Sequence, residues 1–360
     1  MTPRRRRAPD ESDVRVRPNP RGSRPRSKDR PLHADAVAAQ VLTVDRGRYT
    51  CLLGGFSLAL EQTDSEPGED SGRLVTAMKA RELGRAGVVV GDRVALVGDV
   101  SGAPGSLARI VRVEPRGSAL RRSADDTDPI ERVVVANADQ LGVVISLAEP
   151  DPRPRLVDRC LVAAYDAGMD PLLVLTKADL REPDAFLASY APLDVHWVVT
   201  RRSDDGEIEG LDEVRDRLAG RVTTLIGSSG VGKSTLVNAL VPGATRTIGA
   251  VNDVTGRGRH TSTSALALRL PSGGWVIDTP GVRSFGLAHV DPDRIVAAFP
   301  DLAGGTVDCP RGCSHDEPDC GLDAWAASGG AGPAGPARLE SLRRLLRSRE
   351  GRADDQPSAG

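Results

Sequence analysis

Between residues 36 and 117 the apolar positions come in short alternating runs separated by glycine-rich turns. The runs are Ala36–Val44, Tyr49–Leu53, Ser57–Leu60, Val88–Val97 and Ala108–Val113. Alternation with a period of two predicts half-buried strands. Several such strands in so short a stretch predict a small barrel such as an OB-fold, with an SH3-like barrel the alternative that periodicity alone leaves open. Thr63–Gly72 reads as a polar, acidic loop.

The pattern then changes. Residues 118–130 are polar and read as a linker. From 131 to 290 apolar strands alternate with amphipathic helices. Strands are expected at Arg132–Val135, Leu141–Leu147, Leu172–Thr176, Val195–Thr200, Val222–Ile226, Ala265–Leu270 and Trp275–Ile277. Helices are expected at Pro154–Ala167, Asp184–Tyr190, Leu211–Leu218 and Lys233–Leu240. This alternation predicts an α/β sheet with helices on both faces. Residues 291–350 read as a small helical domain ending in the helix Arg338–Ser348. Its Leu339, Leu342, Leu345 and Leu346 form one apolar face. Arg343, Arg344 and Arg347 lie elsewhere, either on a solvated basic face or against RNA.

Charge separates the ends from the middle. Residues 1–35 form a basic arm expected to be disordered; its first 30 residues hold ten arginines and Lys28 against four acids, in a chain of net charge −2. It reads as an RNA-binding extension or a solvated tail. The last stretch, 351–360, reads as a disordered tail. No apolar run nears the roughly 20 residues of a membrane helix, so no membrane is expected. No apolar stretch follows Arg4–Arg7 as in a secretion signal, and the five cysteines do not form a disulfide framework, so the cytoplasm is expected.

Three motifs carry phosphate chemistry. Gly227, Ser228, Ser229, Gly230, Val231, Gly232, Lys233 and Ser234 match G-x-x-x-x-G-K-[ST], between a strand and the helix that Thr235 continues. Its backbone N–H groups can close around phosphates, Lys233 reaches the β and γ phosphates, and Ser234 offers its hydroxyl to Mg²⁺. Asp278-Thr-Pro-Gly281 ends an apolar strand. There Asp278 can hold Mg²⁺ through water, and the Gly281 N–H can meet a γ-phosphate. Thr176-Lys177-Ala178-Asp179 resembles the Asn/Thr-Lys-x-Asp motif of GTPases. The Asp179 carboxylate can accept from guanine N1–H and the exocyclic amine, and the Lys177 stem can pack over the base.

A fourth cluster is of another kind. Cys309, Cys313, His315 and Cys320 offer three thiolates and one imidazole within a short span, a tetrahedral Cys3His set for one structural zinc.

The order of the motifs is unusual. In ordinary small GTPases the phosphate loop comes first and the base motif last; here the base motif comes first, so the chain reads as circularly permuted. With these residues, Gly258-Arg-His-Thr-Ser-Thr263 and Asp278–Leu287, the sequence resembles the RsgA or YjeQ family of GTPases that depend on the small ribosomal subunit.

The resemblance implies a multidomain chain: an N-terminal OB-fold (36–117), a permuted P-loop GTPase domain (131–290) and a C-terminal zinc domain (291–350). It implies GTP hydrolysis to GDP, stimulated by the small subunit late in its maturation, contact with ribosomal RNA, and a monomer. It makes 258–263 the first switch, where Thr261 or Ser262 completes the Mg²⁺ shell. Val282 stands where many GTPases place a water-orienting glutamine, and the resemblance points to His260 instead. Thr200 lies where a second guanine-contacting segment is implied. Rival readings are a GTPase acting on another RNA–protein particle, an RNA-binding module using nucleotide only structurally, and an ATP-using enzyme. Guanine recognition by Asp179 speaks against the last.

Of the 48 basic residues only Lys28, Lys79, Lys177 and Lys233 are lysines. Two of them fall inside nucleotide motifs, where a compact ammonium on a slim stem suits better than a guanidinium.

Overall fold

The computed structural model describes residues 33–56, 72–84, 87–122, 132–243, 265–279, 287 and 290–349. The basic arm up to residue 32, the Ser57–Leu60 strand expectation and the tail from residue 350 lie outside these residues.

β1 (Val37–Asp45) and β2 (Arg48–Leu53) form a hairpin, followed by β3 (Leu74–Lys79), β4 (Arg93–Gly98) and β5 (Ala108–Val113). They pair in the order β1-β2-β3-β5-β4, and β4 returns to β1, so the barrel closes. The β3–β5 pair is parallel and its neighbours are antiparallel. This is the five-stranded order of an OB-type barrel, and it decides against the SH3-like alternative. Alternate residues such as Val41, Cys51, Val75 and Leu96 fill its interior. β3 escapes a period-two reading because its outward residues Leu74 and Met78 are apolar too, at 40% and 42% exposed.

The second sheet holds β8 (Gln140–Ser146), β9 (Asp170–Thr176), β10 (His196–Val199), β13 (Val222–Ile226), β14 (Leu266–Arg269) and β15 (Trp275–Asp278). Its order is β10-β9-β8-β13-β15-β14. All its pairs are parallel except β14–β15. The helices α1 (Pro154–Ala167), α2 (Asp184–Tyr190), α3 (Leu211–Leu218) and α4 (Lys233–Leu240) have the bounds read from the sequence. β6 (Ala119–Arg122) lies in the segment read as linker. It pairs with β7 (Arg132–Ala136) in a separate ribbon, so β7 stays out of the main sheet. β11 (Arg201–Arg202) and β12 (Ile208–Glu209) make a small hairpin after β10.

The barrel and the α/β sheet are joined through backbone. Thr43 of β1 pairs with Leu266 of β14, and Phe56 stacks on Trp275 at 4.4 Å. At Gly91 (φ 87°) a Cβ would sit 1.9 Å from the Ala136 carbonyl oxygen, so a side chain there would push the two bodies apart. Gln40 and Asn137 both donate to the Gly91 carbonyl, at 3.0 and 2.9 Å.

Beyond the sheet come α5 (Pro292–Ala297), α6 (Pro300–Ala303), α7 (Gly321–Ala327) and α8 (Gly335–Arg349). Leu339, Leu342, Leu345 and Leu346 are buried in the same apolar cluster as Leu161 of α1. The α8 arginines make internal ties. Arg338 and Arg343 form two bonds each with Asp301 and Asp323. Arg347 does so with Asp316, and Arg349 donates to the Val290 carbonyl. These bonds dock the helix on its own chain, in place of the solvated or RNA-facing arginines expected from the sequence.

Candidate functional site

Thr176–Asp179, the phosphate loop and Asp278 meet where the parallel strands end. β13 lies between β8 and β15, with β9 beyond β8. The carboxyl ends of β9, β13 and β15 therefore lie at the same edge, where α/β sheets gather ligands. Gly227 leaves β13 so close to β8 that a Cβ would lie 2.7 Å from the Val144 carbonyl oxygen. Gly232 has φ 90° as the residue capping α4, a turn that a Cβ would strain. The loop so formed turns directly into the N-terminus of α4, the arrangement that favours anions.

Lys233 is the first residue of α4, and its side chain is 10% exposed. Its ammonium hydrogen-bonds the Asp278 carboxylate and donates to the Thr279 carbonyl at 2.6 Å. Asp278 is set by register opposite Leu225, and Thr279 is buried with its hydroxyl on the Leu225 carbonyl at 2.8 Å. Ser229, Gly230, Ser234 and Thr235 are exposed on the loop and first turn, and Ser228 is half-buried. Lys233, Ser234 and Asp278 thus stand together as a cation, a hydroxyl and a carboxylate, a set suited to phosphates and a hard dication.

Thr176 ends β9 and is buried; its hydroxyl lies 2.7 Å from the Val231 carbonyl and 3.2 Å from that of Ile145. The base motif is thereby held to the phosphate loop. Lys177 has φ 60° and its ammonium donates to the Glu149 carbonyl. Asp179 is exposed, and its carboxylate accepts from the Arg202 N–H at 2.9 Å. Thr176, Lys177, Asp179, Thr200, Arg202 and Thr235 are among the residues lining one cleft of about 340 Å³. Thr200 is buried and spends its hydroxyl on the Leu175 carbonyl at 3.2 Å.

Sequence reasoning missed Arg202 and Glu149. Both act through backbone atoms, which leave no residue-type signal. His260, Thr261, Ser262, Gly281 and Val282 lie outside the described residues.

The ligand atoms of Cys309, Cys313, His315 and Cys320 lie within 4.8 Å of one another. Cys309 Sγ is 3.6 Å from His315 Nδ1 and 3.9 Å from Cys320 Sγ. A tetrahedral zinc with bonds of about 2.3 Å to sulfur separates its ligands by about 3.8 Å, so the donor set fits. His315 has φ 65°, its carbonyl accepts from Arg343 Nε at 3.0 Å, and its Nε2 lies 3.9 Å from Asp293. A nearby carboxylate behind a ligating imidazole is the usual outer partner of such a site. Burial raises the Cys313 and Cys320 thiols; a bound dication would reverse that by favouring thiolate.

Comparison with known proteins gives the same picture. The family model described as RsgA GTPase matches residues 113–288. A Gemmatimonas aurantiaca protein named small ribosomal subunit biogenesis GTPase RsgA is 35% identical over 302 residues, 83% of this chain and 95% of the relative. A Pseudomonas aeruginosa protein of that name is 40% identical over 249 residues, 66% of this chain and 70% of the relative. Among solved structures, YjeQ from Thermotoga maritima aligns with TM-score 0.57 and 24% identity, covering 88% of this chain and 100% of its own. YloQ, described as a circularly permuted GTPase, aligns with TM-score 0.58 and 22% identity, covering 92% of this chain and 100% of its own. These two show a shared fold. No helix among the described residues is long and apolar enough to cross a membrane.

Proposed function

Since the chain belongs to the RsgA GTPase family, and so hydrolyses GTP in ribosome biogenesis, we propose that its particle is the small ribosomal subunit. In this reading it binds the subunit and its RNA late in maturation, turns over faster when bound, and works as a cytoplasmic monomer. The domain division keeps the sequence bounds of the barrel (36–117), the GTPase domain (131–290) and the zinc domain (291–350), while the 118–130 segment read as linker contributes β6, which pairs with β7.

The nucleotide-binding part of the reading rests on the contact of Lys233 with Asp278 and Thr279, beside Thr176 on Val231, and the choice of particle on the names of the relatives. The Lys233 and Thr176 contacts join the phosphate loop to both other motifs.

Each residue then has a proposed task. The Gly227–Gly232 N–H groups and Lys233 take the phosphates. Ser234 and Asp278 hold Mg²⁺, which when bound neutralises charge on the phosphate oxygens. Asp179 accepts from the two guanine N–H groups, oriented by the Arg202 N–H. Lys177 packs along the base, and Thr176 keeps base and phosphate sites in register. Gly281 meets the γ-phosphate, Thr261 or Ser262 completes the metal shell, and His260 orients water.

Because Asp278 precedes α5 and the Cys309–Cys320 cluster closely in the sequence, loss of the γ-phosphate would be felt in the C-terminal domain. The test is GTP hydrolysis with and without purified small subunits. Stimulation of tenfold or more is expected; unchanged turnover with subunits present would count against the small subunit as partner.

A further inference from the structure

Asp158 and Arg159 of α1 are 4% and 8% exposed, and both face the C-terminal helix α8. Arg344 of α8 brings its Nε to 3.2 Å from Asp158 Oδ2. It also donates from Nη1 to the Ser189 carbonyl at 3.1 Å and lies over the Tyr190 ring at 4.9 Å. Ser189 and Tyr190 close α2, so one guanidinium grips α1 and α2 together. The grip is not a comfortable one. The Nε contact with Asp158 is an ion pair without hydrogen-bond geometry, and Asp158 Oδ1, Arg344 Nε and Arg344 Nη2 are all buried with no hydrogen-bond partner among the described residues. A well-packed apolar contact would hold two helices at no such cost, so stability alone does not account for the group.

Above this grip sit the two loops that frame the base cleft. α1 follows the 149–153 loop, and α2 follows the Thr176–Asp179 motif. The loops are tied directly: Lys177 donates to the Glu149 carbonyl, and Arg181 pairs with Asp151 at 2.8 Å. Below them the Tyr190 hydroxyl donates to the carbonyl of Pro154, the first residue of α1, at 3.2 Å. The Arg344 contacts lie one turn deeper. The two helices with their leading loops form a frame, pinned by Lys177 and Arg181 at one end and by Tyr190 and Arg344 at the other.

We infer that Arg344 is a positioning residue for guanine recognition: it sets the spacing of α1 and α2, and so the fit between the 149–153 loop and Asp179. Arg344 acts through Tyr190 and Asp158 and touches no nucleotide. The zinc-bearing C-terminal region thereby holds part of the base site from behind. α8 also reaches the segment after β15, where Arg349 donates to the Val290 carbonyl at 2.6 Å. A shift in that segment therefore has a path to the base site that bypasses the phosphates.

The inference rests on Asp179 reading guanine, and the test separates the two. Inosine lacks the exocyclic amine that Asp179 would accept from, so the affinity ratio of GDP to IDP reports the placement of that carboxylate. The ratio is measured with the full zinc-loaded protein by competition against a fluorescent GDP analogue. Asp179→Asn should collapse the ratio; if it does not, the base assignment itself fails. Given that collapse, Tyr190→Phe, which removes one hydroxyl and keeps the ring, should lower the ratio about twofold. Arg344→Met should lower it about fivefold, a span typical of remote coupling, with Arg344→Lys partly restoring it. A general loosening would weaken GDP and IDP alike. An unchanged ratio in folded Tyr190→Phe or folded Arg344→Met protein would overturn the inference, and the Tyr190→Phe measurement decides even if Arg344→Met fails to fold.

Discussion

The Thr176 hydroxyl lies 2.7 Å from the Val231 carbonyl, a buried contact between a base motif and a phosphate loop 55 residues apart. Permutation puts Thr176 ahead of the loop in sequence, yet β8 and β9 bring it beside β13 in the sheet. Thr176→Val keeps the shape and removes the donor, leaving the Val231 carbonyl buried without that partner. A loss of about 1–2 kcal/mol of stability is expected. GDP affinity should fall with it, because the loop no longer has a fixed distance to the base motif. Urea unfolding and nucleotide titration on one preparation check both.

Lys233 and Asp278 touch each other and stand where the phosphates and metal would be. Lys233→Ala is expected to cut kcat by a hundredfold or more, since one preorganised charge at a reacting phosphate is worth about 3 kcal/mol. Lys233→Arg should rescue little, because a planar guanidinium does not fit the loop. Asp278→Asn should raise the Mg²⁺ concentration needed for half-maximal turnover. Phosphate release measured against metal concentration distinguishes the two effects.

Cys309, Cys313, His315 and Cys320 should hold one equivalent of zinc. Chelation or Cys320→Ser should release it and loosen α7 and the 309–320 loop, visible as faster amide exchange there. α8 packs directly on α1 and is tied by Arg344 to Ser189 and by Arg349 to Val290, so that helix should stay protected. Less than half an equivalent of zinc by elemental analysis would refute the assignment.

Burial pushes the Asp158 carboxyl up to about 6, against the pull of Arg344 and the Tyr190 hydroxyl. The folded protein therefore binds this proton more readily than the unfolded chain, whose Asp titrates near 3.9. Between those values the folded state is protonated and the unfolded state is not, so stability from this group grows as pH falls through 6. Above pH 6 both states are ionised and the full cost of burial remains. Wild type should gain about 1 kcal/mol on Asp158→Asn between pH 7 and pH 5. Parallel urea titrations of the two proteins at both pH values measure it; a constant difference would mean that Asp158 does not change protonation between them.

How far the sequence reaches depends on the range of the interaction concerned. α1, α2, α3 and α4 carry local signals: a proline at the first position of α1, apolar spacing, and glycines at the flanking turns. Their bounds, the phosphate-loop sequence and the Cys and His residues that the fold brings together are accordingly legible residue by residue, because each depends on the residue type at its own position. Tertiary structure decided what no single position encodes. β3 needed partners on both sides to be a strand, and β7 left the sheet because β6 paired with it. The arginines of α8 were ambiguous on a helical wheel, since a charged face looks the same whether it meets water, RNA or carboxylates. Only the folded chain supplies Asp158, Asp301, Asp316 and Asp323 opposite them. The Arg202 N–H and the Glu149 carbonyl are backbone groups that every residue offers, so their roles follow from where the chain passes and not from what the residues are.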